Sequence, residues 1–171
     1  MWNRKITGLI ACDPTGIIGE KRRLPWTFPE EVAFFRQTTA QQIMITGATT
    51  YEEMPRSFFH ERYCVVFSKS LYKSSQDHPR TVIFVSSLNE FLNLKNLPEN
   101  KSCYMIGGAE IAKLFLVYHL IDDFLLSIMT KSYSGDTVFP LDLIEHWPRT
   151  QLKKTADFST YHYKNPLSQY V

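Results

Sequence analysis

Six short apolar runs, "ITGLIAC", "QIMIT", "RYCVVFS", "TVIFV", "CYMI" and "DFLLSIMT", recur along the chain, rich in Ile, Val and Phe and bounded by Gly, Pro, Asp or Lys. Runs of this length and branching read as strands, and their scarcity of polar positions reads as burial on both faces. Helical patterns lie between several of them, at Glu30 to Thr39, Thr49 to Met54, Leu88 to Leu94 and Ala109 to Leu116. Ser87 and Glu90 have the spacing of a capping box, in which each side chain satisfies a backbone donor at the helix start. Strands alternating with helices predict an α/β fold with a largely parallel sheet. After "DFLLSIMT" no long helix separates the following "DTVFP" and "QLKKTADF". Antiparallel additions to one sheet edge are expected there, ending near Tyr163 because Pro166 interrupts a ladder.

The 171 residues suit one domain over 1–171, with no linker, repeat or low-complexity stretch. A net charge of +2 gives no argument for nucleic acid, and the basic triplet Lys21, Arg22 and Arg23 reads as a solvated loop. No apolar run approaches the ~20 residues of a membrane span, and "KITGLIAC" lacks the features of a signal peptide. Cys12, Cys64 and Cys103 are far apart in apolar segments, which excludes a disulfide or zinc framework and makes a reducing cytoplasm the expected setting. His60, His78, His119, His146 and His162 show no metal-ligand spacing, and neither a G-x-S-x-G elbow nor a Walker loop is present.

Three constellations remain. Gly107 and Gly108 follow the strand "YMI" and precede a helix, where backbone N–H groups can face a phosphate, but the run lacks the full G-x-G-x-x-G pattern and a tight turn explains it equally. Gly47 leads through Ala48, Thr49 and Thr50 into a helix, where the threonines serve an anion or a simple N-cap. In "RLPWTFPEEVAFFR", Pro29 suits a first helical turn and both Glu30 and Glu31 suit the positive helix end. Glu31 shares a face with Phe35, and Glu30 with Phe34. A carboxylate enclosed by Trp and Phe is costly unless a ligand donates hydrogen bonds to it. From local physics alone, which glutamate faces the apolar side stays open.

Taken in order, "LIACDPTGIIG", "LPWTFPEEVAFFR", "IMITGATTYEEMP", "RYCVVFSK", "YMIGGAEI" and "SGDTVFP" resemble segments of the dihydrofolate reductase family along nearly the whole chain. The resemblance implies a mixed, mainly parallel eight-stranded sheet flanked by four helices and antiparallel at its C-terminal edge. It implies a cytoplasmic, monomeric oxidoreductase of one-carbon metabolism that uses NADPH to reduce 7,8-dihydrofolate, and diaminopyrimidine-type antifolates as further ligands. Glu31 falls on the acidic position that holds the pterin and raises N5 basicity, with Glu30 a solvated neighbour. Phe35, Ile10 and Ala11 would surround the pterin, Ser127 would support the carboxylate, and Arg62 would grip the glutamyl α-carboxylate. Ile18, Gly19, Leu24 and Trp26 match a mobile lid and wall, and Gly135 and Asp136 the loop packed on that lid. Gly107 and Gly108 match a pair joined by a cis peptide. Contacts to the cofactor would come from Ala11, Ile18, Gly19, Gly47, Ala48, Thr49, Thr50, Ser68, Lys69, Ile106, Gly107, Gly108, Ala109, Glu110 and Ile111, and no metal is implied.

The chain departs from that pattern in places. Ala48 stands where a basic residue usually meets cofactor phosphate, leaving Lys69 to retain the 2′-phosphate. Ala112 replaces a tyrosine near the nicotinamide and is expected to open space there. Glu53 occupies a usual Ser position, and "RSFFHER" replaces a proline-rich loop. Two alternatives follow: a reductase of another pterin or of a ribosylaminopyrimidine on the same fold, and a non-catalytic folate-binding homologue.

Overall fold

The computed structural model describes residues 2–19, 24–70 and 78–170, so the triplet Lys21, Arg22 and Arg23 lies outside the described residues. Among the described residues ten strands run β1 Ile6–Cys12, β2 Ile17–Gly19, β3 Ile43–Gly47, β4 Tyr63–Phe67, β5 Val82–Val85, β6 Cys103–Gly107, β7 Asp123–Met129, β8 Thr137–Val138, β9 Arg149–Lys154 and β10 Phe158–Lys164. Four helices, α1 Pro29–Thr39, α2 Ala48–Glu53, α3 Leu88–Leu92 and α4 Ala109–Val117, separate them where the helical pattern predicts, with ends shifted by a residue or two. Eight strands form one sheet in the order β5-β4-β3-β6-β1-β7-β10-β9. The expected mixed, mainly parallel sheet is therefore present.

Parallel pairing runs from β5 through to β7 and turns antiparallel only at β10 and β9. Two pairings organise the C-terminal third, and the second corrects the expectation that "DTVFP" joins the sheet edge. β7 is parallel to β1, because α4 returns the chain over the sheet after β6 and a helical crossover restores strand direction. β8 is not an addition to the main sheet: it pairs with β2 in a separate two-stranded ribbon and stops two residues before Pro140. β10 ends at Lys164, just short of Pro166 as expected.

The central strands β3 and β4 are buried on both faces, so successive side chains feed two cores. Ile43, Ile45 and Val65 meet Phe91, Ala112 and Phe115 from α3 and α4. Met44, Cys64 and Val66 meet Tyr51 and Phe59, with Phe35 and Phe58 packed alongside. β9 is exposed along its whole length, which suits an edge carrying Arg149, Lys153 and Lys154. All three cysteines are free and buried, and burial pushes Cys12 up to about 12 and Cys103 up to about 11. No described helix is long and apolar enough to cross a membrane.

The cap of α3 differs in detail from its predicted form. Ser87 Oγ accepts from Glu90 N at 3.2 Å, as the spacing requires. The Glu90 carboxylate reaches one residue further back, accepting from Ser86 N at 2.7 Å and Ser86 Oγ at 2.9 Å.

Candidate active site

The carboxyl ends of β1, β3, β4 and β6 and the starts of α2 and α4 converge on one cavity of about 1150 Å³, with α1 as its far wall. Open α/β sheets place ligands at such strand ends because backbone donors and loop side chains meet there.

On the α1 side, Ile10 and Ala11 of β1, Glu31, Phe34 and Phe35 of α1, Leu24 and Ser127 line the cavity. Pro29 occupies the first helical turn, fixing the rotation that sends Glu31 inward. Glu31 is 9% exposed, and burial pushes its carboxyl up to about 7. Among the described residues no cation or donor offsets that burial. Glu30, one residue earlier, points to solvent and pairs with Lys153 Nζ of β9 at 2.8 Å. The ambiguity between the two glutamates is resolved by the fold.

Three side chains on this side sit differently from expectation. Ser127 Oγ is hydrogen-bonded to Thr160 Oγ1 of β10 at 2.7 Å, so its partner is a second hydroxyl and not the Glu31 carboxylate. Trp26 stands behind Ala11, clustered with Met129 and Phe158, and Leu24 takes the cavity-lining place. Among the described residues Trp26 Nε1 has no acceptor although it is fully buried. Arg62 does not line the cavity: its Nε donates to Thr39 Oγ1 at 3.1 Å, Nη1 to Phe58 O at 3.1 Å and Nη2 to Arg36 O at 2.9 Å. It clamps the end of α1 to the 3-10 turn Arg56–Phe59, with its guanidinium over the Phe58 ring. Phe58 in turn stacks on Phe35 at 5.8 Å.

On the opposite side, Gly47, Ala48, Thr49, Thr50, Ser68, Lys69, Ile106, Gly108, Ala109, Glu110 and Ile111 all line the cavity. Gly107 is not on the wall: its carbonyl accepts from the buried Thr46 Oγ1 at 2.8 Å, and the Gly107–Gly108 peptide is cis. The strand ends fit closely, since a side chain at Gly47 would meet Ile111 Cγ1 at 3.2 Å and one at Gly108 would meet Thr50 Oγ1 at 3.4 Å. Ser68 spends its hydroxyl proton on Ser70 O at 2.6 Å. Ala112 is corrected: it faces the core with Phe115 and opens no space at the cavity, because helical geometry turns Glu110, Ile111 and Leu114 there instead. Ser86, Ser87 and Leu88 also line this side and were not anticipated. Their strand-end position after β5 was the available signal.

Among the described residues Lys69 is the one cation on the cavity wall, against the carboxylates of Glu31, Glu53, Glu110 and Asp136. At the cavity mouth, Ile18 and Gly19 of β2 adjoin Asp136 and Thr137. Asp136 N donates to Gly19 O at 3.0 Å, so the late loop packs on the β2 segment as expected.

The dihydrofolate reductase family model matches residues 5–170. A dihydrofolate reductase of Lactococcus lactis is 30% identical over 140 residues, covering 79% of this chain and 77% of the relative. That of Bacillus subtilis is 30% identical over 135 residues, covering 79% and 75%, and the type 9 dihydrofolate reductase of Escherichia coli is 25% identical over 172 residues, covering 94% of each. With a matching family model, the mixed sheet and the acid-bearing cavity at its strand ends, this chain belongs to the dihydrofolate reductase family.

Proposed function

We propose that this chain reduces 7,8-dihydrofolate to 5,6,7,8-tetrahydrofolate with NADPH, working as a single-domain monomer in the cytoplasm. The observation that carries the reading is Glu31: a buried carboxyl, pushed up to about 7 by burial, that lines the cavity beside Ile10 and Phe35 and meets no cation among the described residues. A pterin presents an amino group and an adjacent ring nitrogen, a donor pair suited to one carboxylate. Near-neutral titration lets Glu31 hold or release a proton at working pH, which supports proton delivery to N5 through water. A cationic diaminopyrimidine offers the same donor pair with a positive charge, so antifolates of that type should also bind.

The other half of the cavity suits a dinucleotide. Close-packed glycines at 47 and 108 leave room at the strand ends, and α4 directs its first N–H groups there. Thr49, Thr50 and Lys69 would hold phosphates, and Ile18, Ile106 and Ile111 would cover the apolar ring face. NADPH, when bound, supplies the hydride that C6 of the pterin receives. Ile10, Ala11 and Phe35 orient the pterin against it, while Leu24 and Trp26 exclude water.

Purified protein mixed with NADPH and dihydrofolate should show loss of the nicotinamide absorbance. No turnover at high cofactor concentration would overturn the reading.

A further inference from the structure

Asp13 follows β1 directly and is wholly buried, yet no cation neutralises it among the described residues. Four donors surround its carboxylate instead. Oδ1 accepts from Thr15 N at 2.8 Å, Thr15 Oγ1 at 2.8 Å and Ile17 N at 2.9 Å. Oδ2 accepts from Tyr133 N at 2.8 Å, across 120 positions of sequence. Burial alone would raise this carboxyl, but the four hydrogen bonds outweigh it and hold it below the ordinary value.

The two oxygens serve different parts of the site. The first fixes the turn that launches β2, the segment that carries Ile18 and Gly19 to the cavity mouth. The second fixes Tyr133, whose ring lies 5.3 Å from that of Trp26. Tyr133 and Asp136 share the loop between β7 and β8; that loop returns to the β2 segment through Asp136 N to Gly19 O at 3.0 Å, and Phe139, just after β8, adds Phe139 N to Gly16 O at 2.7 Å. One buried carboxylate thus ties the base of the lid to the aromatic wall behind Ala11.

We propose that Asp13 is a positioning residue for hydride transfer, holding the β2 lid and the Tyr133–Trp26 wall in one register. The inference rests on the reductase reading above. Asp13 touches neither Glu31 nor Phe35, which stand on α1, so its loss should spare substrate binding and lower the rate of the bound complex.

Asp13→Asn is the selective variant. The amide oxygen can keep the turn at Thr15 and Ile17, but the amide nitrogen then opposes Tyr133 N–H, donor against donor. The expected result is a kcat lower by about tenfold, a KM for dihydrofolate within about twofold of wild type, and faster amide exchange at Tyr133. Asp122→Asn is the matched control. Asp122 takes Ile6 N at 2.8 Å and Ser168 Oγ at 2.7 Å at the far end of β1, so it should lose similar stability with kcat unchanged. Tyr133→Ala keeps the backbone bond and deletes the ring against Trp26; it should lower kcat in the same way, and it tests the link if Asp13→Asn does not fold. Wild-type kcat in Asp13→Asn or in Tyr133→Ala, or an equal loss in Asp122→Asn, would overturn the role. A wild-type chain that turns over no dihydrofolate would overturn the reductase reading, and this role with it.

Discussion

Lys153 Nζ lies 2.8 Å from Glu30 Oε2 on the solvent side of the helical turn that carries Glu31 into the cavity. Two chemically identical neighbours therefore have opposite surroundings, and their variants should differ. Glu31→Gln should lower turnover at neutral pH by about a hundredfold, since it removes the group proposed to hold the pterin and handle its proton. Glu30→Gln breaks only an exposed pair, worth little, and should change turnover less than about twofold. Steady-state kinetics of both variants checks the assignment, and equal losses would undo it.

Glu31 should also make the protein less stable on the alkaline side. Its carboxyl titrates at about 7 in the folded chain against an ordinary 4.5, so the folded state binds the proton more tightly. That linkage stabilises the fold fully below about pH 4.5 and is lost as pH rises through about 7. At about 1.4 kcal/mol per pH unit, Glu31→Gln should be more stable than wild type by up to about 3 kcal/mol at pH 8, with little difference at pH 4. Urea midpoints at the two pH values measure it. A constant gap would show that charge burial is not the cause.

Gly135→Ala should impair the lid contact. A methyl there overlaps Ile17 Cγ2 and the Gly19 carbonyl, and backbone cannot yield as a flexible side chain does. The late loop must then move off β2, and kcat should fall by about tenfold or more. A wild-type kcat would mean that closure does not depend on this contact.

Lys69, the one cation on the cavity wall among the described residues, sets the cofactor prediction. Lys69→Ala should weaken NADPH binding by about tenfold and leave NADH nearly unchanged, because only NADPH carries the extra phosphate. Ala48→Arg should move affinity the other way, toward NADPH. Fluorescence titration with both nucleotides tests the pair, and equal effects on NADH would assign Lys69 to another phosphate.

Arg62 is expected to act first on stability. Its three hydrogen bonds tie Thr39 and Arg36 of α1 to Phe58, so Arg62→Ala should cost about 2 to 4 kcal/mol, seen as a lower urea midpoint. An unchanged midpoint would mean that the clamp holds nothing.

Much of the fold was legible because each element carries its own local signal. Pure apolar runs located β1, β3, β4, β6 and β7, and Pro29 and Ser87 marked helix starts. What escaped were relations between distant segments. β8 looks like a strand of the main sheet until β2 claims it. The cavity residues on "GGAEI" and "TGATT" could be placed by resemblance. Resemblance did not show Ala112 in the core, Arg62 bound within the protein or Ser127 paired with Thr160.

The sequence by itself determined the strand and helix periods, the strand-end glycines and the presence of two glutamates at one helix start, because these depend on neighbours along the chain. Local pattern left open which glutamate is buried; the family resemblance pointed to Glu31 and the tertiary structure buries it, while only the tertiary structure decided that Asp13 reaches Tyr133, because burial and long-range hydrogen bonds are properties of the surroundings. Glu30 and Glu31 share a residue type and a helix end; β9 and the cavity give them different solvents.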